Sequence, residues 1–143
     1  EEAKKSVISW LYGSKTSDIG RKLSEIYKRE EVLSKYYDPE THIVTTPFGR
    51  KLKATDHHAM NYLVQSTTAD LVFDRMMELK KFFKGKKSFI KFCLHDSVVI
   101  DLAHEEKGDV KEIREIFSNT KLDKFVSSLN AGENFGDLKP LNI

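Results

Sequence analysis

Residues 89–102 have the sequence FIKFCLHDSVVIDL, in which two runs rich in aromatic and β-branched residues flank the dipeptide His95-Asp96. This pattern predicts a β-hairpin with the dipeptide at its turn. Such a turn would hold the Asp96 carboxylate at a fixed position, and hard cations such as Mg²⁺ prefer carboxylate oxygens. Because His-Asp pairs are common in proteins, the dipeptide alone is a weak indication of a metal site.

The composition is that of an ordinary globular domain. The chain has 143 residues, of which 39% are hydrophobic and 32% charged, and its formal net charge is +2. This length predicts a single domain with one buried core. The charge is too small to indicate a nucleic-acid partner by itself, and no apolar run approaches the length of a membrane span. The single cysteine, Cys93, lies in a predicted strand and is interpreted as a small buried residue.

Six lysines cluster just before the predicted hairpin and in its first strand. They are Lys80, Lys81, Lys84, Lys86, Lys87 and Lys91. A basic cluster of this kind can bind phosphates, but it is also typical of a solvated surface.

Helical and strand patterns are mixed along the chain. Apolar residues at helical spacing predict helices over residues 2–12, 18–36, 56–83 and 108–118. A second hairpin is predicted over residues 42–53, with a turn that contains Gly49, and a last strand over residues 124–129. Helices mixed with mostly antiparallel strands indicate an α+β class.

The chain begins inside a helical pattern. Glu1 is not preceded by a methionine or an N-cap residue, and Ala3, Val7 and Trp10 already share one helical face. We therefore expect the sequence to be a piece of a longer protein.

Lys4, Ile8 and Tyr12 lie on one face of the first predicted helix, because they are spaced four residues apart. A cation, an apolar surface and a phenol in one row would suit a ligand that has phosphates at one end and a planar group at the other. An amphipathic helix with a solvated lysine has the same pattern, so the row alone leaves both interpretations open.

His57, Asn61 and Gln65 have the same spacing on the longest predicted helix. Three side chains that can donate and accept hydrogen bonds in one column could follow a duplex groove. The polar stripe of any surface helix would look alike, and the residues alone do not decide between the two.

Taken in order, these stretches resemble the C-terminal part of family A DNA polymerases, the bacterial DNA polymerase I class. The fingers helix of that family carries a lysine, an aromatic residue four positions on, and Tyr-Gly after it. The matching residues here are Lys4, Ile8 and Tyr12-Gly13. Further along, residues 48–51 (FGRK) resemble a turn of the family, and residues 61–69 (NYLVQSTTA) resemble its Asn-x-x-x-Gln-(Gly/Ser)-x-x-Ala stretch. His95-Asp96 then corresponds to the palm hairpin, and residues 132–135 (GENF) resemble the closing Gly-x-Asn-Trp.

The resemblance implies a role for each matched residue. Lys4 and Asp96 are the implied catalytic residues. Lys4 would bind the phosphates of the incoming dNTP, beside Ile8, Tyr12 and Gly13. Asp96 would be one of two carboxylates that hold the two Mg²⁺ ions of nucleotidyl transfer. Contacts to the primer–template DNA are implied for Arg50, His57, Asn61, Gln65 and His95.

The fold implied by the resemblance is a partial polymerase palm, with antiparallel hairpins packed on long helices and a fingers helix before them. Residues 1–40 would derive from the fingers and residues 41–143 from the palm. The implied partners are primer–template DNA and dNTPs, with no membrane, in the cytoplasm of a bacterium or of a phage-infected cell.

Three residues depart from the family pattern. Ile8 replaces an aromatic residue, which implies altered handling of sugar-modified nucleotides. Ser97 replaces the glutamate that usually follows His-Asp, so that a third carboxylate role at this turn is in doubt. His57 replaces an arginine of bacterial members, which makes a phage or prophage source plausible.

The second metal aspartate of the family lies upstream of the fingers helix, outside this sequence. Two metal ions need two well-placed carboxylates, so we expect the isolated chain to be inactive in polymerisation while a longer parent protein is active. The alternative is a non-catalytic DNA-binding module derived from a polymerase. An unrelated α+β interaction domain is a third hypothesis, and it requires the ordered motifs to match by chance.

Overall fold

The computed structural model describes residues 2–14 and 18–142, so that Glu1 lies outside it. The chain is α+β, with helices and small antiparallel sheets. It forms two compact units, Glu1–Thr68 and Ala69–Ile143, each with its own core, where the chain length predicted one. The boundary lies inside the longest helix, and this division by packing differs from the division at residue 40 that the resemblance implies.

The helices are α1 (Glu2–Leu11), α2 (Asp18–Tyr27), α3 (Arg29–Tyr36), α4 (Asp56–Phe82) and α5 (Val110–Ser118). The strands are β1 (Tyr37–Asp38), β2 (Ile43–Thr45), β3 (Lys51–Lys53), β4 (Phe89–Leu94), β5 (Ser97–Asp101), β6 (Asn130–Ala131) and β7 (Lys139–Pro140). All the strand pairs are antiparallel, in the sheets β1-β2-β3, β4-β5 and β6-β7.

The first unit packs α1, α2 and the start of α4 around the β1-β2-β3 sheet. Its buried core consists of Trp10, Val44, Ala54, Ala59, Met60 and Leu63. The Trp10 indole N–H donates to the Ser24 hydroxyl at 2.9 Å, which satisfies the one polar atom of this buried ring. Gly13 ends α1 with a φ of +88°, a conformation that glycine adopts without steric cost.

The helix predicted over residues 18–36 is two helices, because the chain turns at Lys28. Lys28 has φ 43° and ψ 57°, a left-handed conformation that cannot continue a right-handed helix. Its carbonyl oxygen then accepts hydrogen bonds from the N–H groups of Glu31 and Val32, which starts α3. Periodicity alone could not detect this break, since the apolar spacing continues through it.

The hairpin predicted over residues 42–53 is confirmed as β2 and β3, with Val44 opposite Leu52. Gly49 has a φ of +84° at its turn, and the Thr46 hydroxyl accepts the N–H groups of Phe48 and Arg50.

The second unit packs the β4-β5 hairpin and α5 against the C-terminal half of α4. Its buried core is Leu79, Phe83 and Ile113, with Ile90 and Ile100 of the hairpin packed against it. The hairpin predicted around His95-Asp96 is therefore confirmed. Cys93 of β4 is half-buried rather than buried.

Helix α5 begins at Val110, two residues later than predicted, after a 3₁₀ helix over His104–Asp109. The strand predicted over residues 124–129 is wrong, since the strand in this region is Asn130–Ala131. An isolated bridge between Asn119 and Lys124 holds the start of the segment. Beyond it, the Arg114 guanidinium donates to the Ser127 carbonyl, and the Ser118 and Ser127 hydroxyls are hydrogen-bonded. The residue types of the segment suggested a half-buried strand, but its apolar side chains are not all buried: Val126 is 98% exposed.

Candidate functional site

Tyr12, Asn61 and Gln65 form one chain of hydrogen bonds in the first unit. The Asn61 side-chain amide donates to the Tyr12 hydroxyl at 2.9 Å, and its oxygen accepts from the Gln65 amide at 3.2 Å. Tyr12 lies in the turn after α1, whereas Asn61 and Gln65 lie one turn apart on α4. The structure therefore brings together residues of two sequence motifs that are 49 positions apart.

Two histidine rings pack against the Tyr12 ring. The His57 ring lies 5.3 Å from the Tyr12 ring and the His58 ring 5.6 Å from it, the latter edge to face. Of these two, the sequence predicted only His57 as a site residue. His58 was missed because adjacent residues on a helix point in different directions. In the structure the three rings form one cluster, in which the His57 and His58 rings lie 5.1 Å apart.

Asn61 is not part of a solvated stripe, since only 6% of its surface is exposed. A buried amide costs free energy unless its hydrogen bonds are made, and the Tyr12 and Gln65 side chains make them here. Gln65, in contrast, is exposed. In the column His57, Asn61, Gln65, the buried Asn61 therefore holds the Tyr12 hydroxyl, and Gln65 beside it is exposed.

The face of α1 that carries Lys4 and Ile8 is open to solvent. Lys4 is exposed and Ile8 is 45% exposed, whereas Trp10 faces the core. An exposed isoleucine next to a lysine offers an apolar surface and a cation to a ligand. Gly13 follows Tyr12, and its N–H donates to the Trp10 carbonyl at 2.8 Å, which closes the last turn of the helix.

Arg50 is the one predicted DNA-contact residue of the first unit that lies on the hairpin. It precedes β3 and its side chain is exposed. Its backbone is fixed, because its N–H donates to the Thr46 hydroxyl and its carbonyl accepts the Thr46 N–H. A cation on a rigid turn is suited to a phosphate contact.

His95 and Asp96 form the turn of the β4-β5 hairpin in the second unit. His95 has a φ of 54°, which is typical of the first central residue of a tight hairpin turn. The Ser97 hydroxyl donates to the Leu94 carbonyl at 2.8 Å across this turn. Both His95 and Asp96 are exposed, so the carboxylate of Asp96 is held at the tip and is accessible.

The acids in the described part of the second unit do not provide the ligands that two Mg²⁺ ions need. Asp96 supplies one hard carboxylate ligand at the turn, while Asp101 at the far end of β5 pairs with Lys91 at 3.2 Å. Across residues 2–14 and 18–142, no group of three or more His, Cys, Asp or Glu residues could hold a metal ion. Asp96 would supply one carboxylate, whereas a two-metal site needs at least two.

A cavity of about 250 Å³ lies beside Asp96, and no sequence pattern indicated it. The β5 residues Ser97, Val98 and Ile100 line one side, and residues 126–129 line another. Arg114 of α5 also lines it. Within the described residues β5 pairs with β4 alone, and residues 126–129 belong to no strand.

Comparisons with protein-family models, with curated proteins and with solved structures gave no match. Over the described ranges, every helix is too short or too polar to cross a lipid bilayer.

Proposed function

We propose that this chain is the fingers-helix and palm portion of a template-directed DNA polymerase of family A. Its parent protein would transfer nucleotides from dNTPs to a primer 3′ end, in the cytoplasm of a bacterium or of a phage-infected cell. The observation that carries the proposal is the hydrogen bond from Asn61 to Tyr12. Two motifs that the resemblance assigns to one primer–template region are far apart in the sequence, and they meet in a single cluster.

The exposed residues of the first unit suit the binding roles that the resemblance implies. Lys4 and Ile8 are open to solvent on α1, where a cation and an apolar surface would meet the phosphates and the sugar of a dNTP. Arg50 and Gln65 are exposed as well, and they would contact the backbone and the minor groove of the duplex.

In this proposal the catalytic ions are shared between Asp96 and a second aspartate on a strand outside this sequence. The outer edge of β5, which no strand of the described residues pairs, would accept such a strand. One carboxylate does not complete a two-metal centre. The 143-residue chain alone should therefore not extend a primer.

Binding of a primer–template duplex to the chain tests the proposed interface directly. We expect saturable binding that weakens as salt is raised, since phosphate contacts release counterions. Arg50→Ala and Gln65→Ala should each weaken the binding. Lys35→Ala removes an exposed cation from α3, outside the proposed interface, and serves as the charge-matched control. A chain that fails to bind the duplex at low salt, or whose binding all three variants reduce equally, would contradict the proposal.

The alternative is a DNA-binding module that no longer catalyses nucleotidyl transfer. It predicts the same duplex binding, because the residues involved belong to the first unit and Asp96 belongs to the second. The two functions differ only in primer extension by the parent protein. Extension that depends on Asp96 supports the polymerase, and duplex binding without extension supports the module.

A further inference from the structure

The second unit has a larger cavity, about 690 Å³ in volume. No residue with a role in the proposed polymerase function lines it. One wall is α4, which contributes Met76, Met77 and Lys80. The other is residues 86–92, the approach to β4 and most of that strand. We call this cavity the edge groove.

The edge groove follows the backbone edge of β4 instead of lying over one face of the hairpin. Successive side chains of a strand point to opposite faces, so a groove over one face would be lined by alternate residues. Here the four consecutive β4 residues 89–92 line it, together with residues 86–88 before the strand. Among the described residues β4 pairs only with β5, which leaves the outer edge without a partner strand. Before the strand, the Glu106 carboxylate already accepts the N–H groups of Lys87 and Ser88 at 2.9 Å, so the open edge begins at Phe89.

A β-bulge brings two aromatic rings to this edge. Phe89 pairs with Asp101 and Phe92 with Val99, so that β4 has one residue more than β5 between these pairs. Regular alternation would place Phe89 and Phe92 on opposite faces, and the extra residue, Lys91, returns them to the same face. Their exposed fractions are 49% and 43%. With Met76 and Met77 opposite, they give the groove an apolar lining that can adapt in shape.

The charges that line the edge groove are all positive. They belong to Lys80, Lys86, Lys87 and Lys91. The acids that pair with the last three, namely Asp109, Glu105 and Asp101, do not line it. The pairs of Lys87 and Lys91 are more than half exposed on both sides, and such pairs contribute little to stability. Lys87 and Lys91 are therefore available to an anionic ligand.

We infer that the edge groove binds an extended acidic peptide, which adds as a strand beside β4. Main-chain groups of the peptide would pair with the open edge, as in other cases of strand addition. Its acidic side chains would meet the lysines, and alternate apolar side chains would contact Phe89, Phe92 and Met77. Single-stranded nucleic acid could contact the lysines and stack on the rings, but it would leave the main-chain groups of the edge unpaired, so the peptide is favoured. This site is separate from the proposed polymerase function.

Fluorescence anisotropy with a labelled peptide of alternating glutamate and valine tests the inference on the 143-residue chain. We expect saturable binding that unlabelled oligo-dT does not displace. Methylation of alternate peptide nitrogens removes donors to the strand edge and should weaken binding by about tenfold or more. Binding that N-methylation leaves unchanged would show attraction of charge alone and would overturn the inference. Tight binding of oligo-dT at the same lysines would overturn it in favour of nucleic acid.

Charge reversal locates the binding. The double variant K80E/K91E should weaken peptide binding by about tenfold or more, because two attractive contacts become repulsive. Lys111→Glu reverses the charge of an exposed lysine on α5, outside the groove, and should leave binding within a factor of about two. All three substituted side chains are exposed, so the circular dichroism spectra should be unchanged. Equal loss of binding in both proteins would place the peptide elsewhere.

Discussion

The Asn61 side-chain amide donates a hydrogen bond to the Tyr12 hydroxyl at 2.9 Å, which ties α4 to the turn after α1. Because Asn61 is buried, its amide depends on this partner. The bond fixes the position of the Tyr12 hydroxyl, and the Tyr12 ring packs against His57 and His58. In the proposed function, this places the tyrosine beside the templating base pair.

Removal of the Tyr12 hydroxyl should destabilise the first unit. Tyr12→Phe leaves a buried amide hydrogen without this acceptor, and we expect a loss of about 1–3 kcal/mol in the free energy of unfolding. The double variant Y12F/N61L should lose less than the sum of the single variants, with a coupling energy of about 1 kcal/mol. Urea denaturation measures both. Tyr27→Phe removes a hydroxyl from an exposed ring and should change stability by less than about 0.5 kcal/mol. Strict additivity of the two substitutions would contradict the hydrogen bond.

Replacement of Lys28 by glycine should stabilise the same unit. A left-handed conformation costs an ordinary residue about 1 kcal/mol, and glycine adopts it freely. The 3.6 Å pair between Lys28 and Glu31 is exposed, so its loss should offset little of that gain. We expect Lys28→Gly to raise the free energy of unfolding by about 0.5–1 kcal/mol. Lys22→Gly, within α2, should lower it by about 1 kcal/mol. A loss of stability in both variants would show that Lys28 continues a single helix.

The stability of the second unit should depend on pH through Asp74. The Lys121 ammonium and the Arg75 guanidinium hydrogen-bond its carboxylate and hold its pKa below the ordinary value of 3.8. Because the pKa is lower in the folded state, the resulting stability is fully present above about pH 4 and is lost as the pH falls through the folded pKa. Asp74→Asn should cost about 2 kcal/mol at neutral pH and flatten this acid dependence. Thermal unfolding of both proteins between pH 2 and 7 measures the effect, and parallel curves would contradict it.

Substitution of Ile8 tests the proposed contact with the sugar of the incoming nucleotide. In the proposed parent polymerase, Ile8→Phe should change discrimination between dNTPs and dideoxynucleotides, because an aromatic ring would replace the exposed isoleucine that the proposal places beside the sugar. The ratio of kcat/KM for the two nucleotides measures this. Val7→Phe, a substitution at the adjacent exposed position of α1, is the control and should leave the ratio unchanged. An unchanged ratio in Ile8→Phe would remove Ile8 from the nucleotide site.

Local sequence patterns predicted most of the helices and strands correctly, because helical spacing and strand alternation are properties of neighbouring residues. Alternation around His95-Asp96 and helical spacing over residues 56–83 indicated the main hairpin and the longest helix. The left-handed backbone at Lys28 and the irregular segment 124–129 were not predicted, because the spacing of apolar residues does not record such departures from regular structure. The same limit applies to the site. Spacing identified Tyr12 and Asn61 separately, but neither their hydrogen bond nor the edge groove beside β4 follows from spacing.

Magnesium-dependent primer extension by the parent protein, beside its Asp96→Ala variant, is the sharpest test of the polymerase proposal. We expect extension by the parent, none by the variant, and equal binding of the primer–template by both. A parent that binds the duplex without extending the primer, or an Asp96→Ala variant that extends it as well as the parent does, would contradict the proposal.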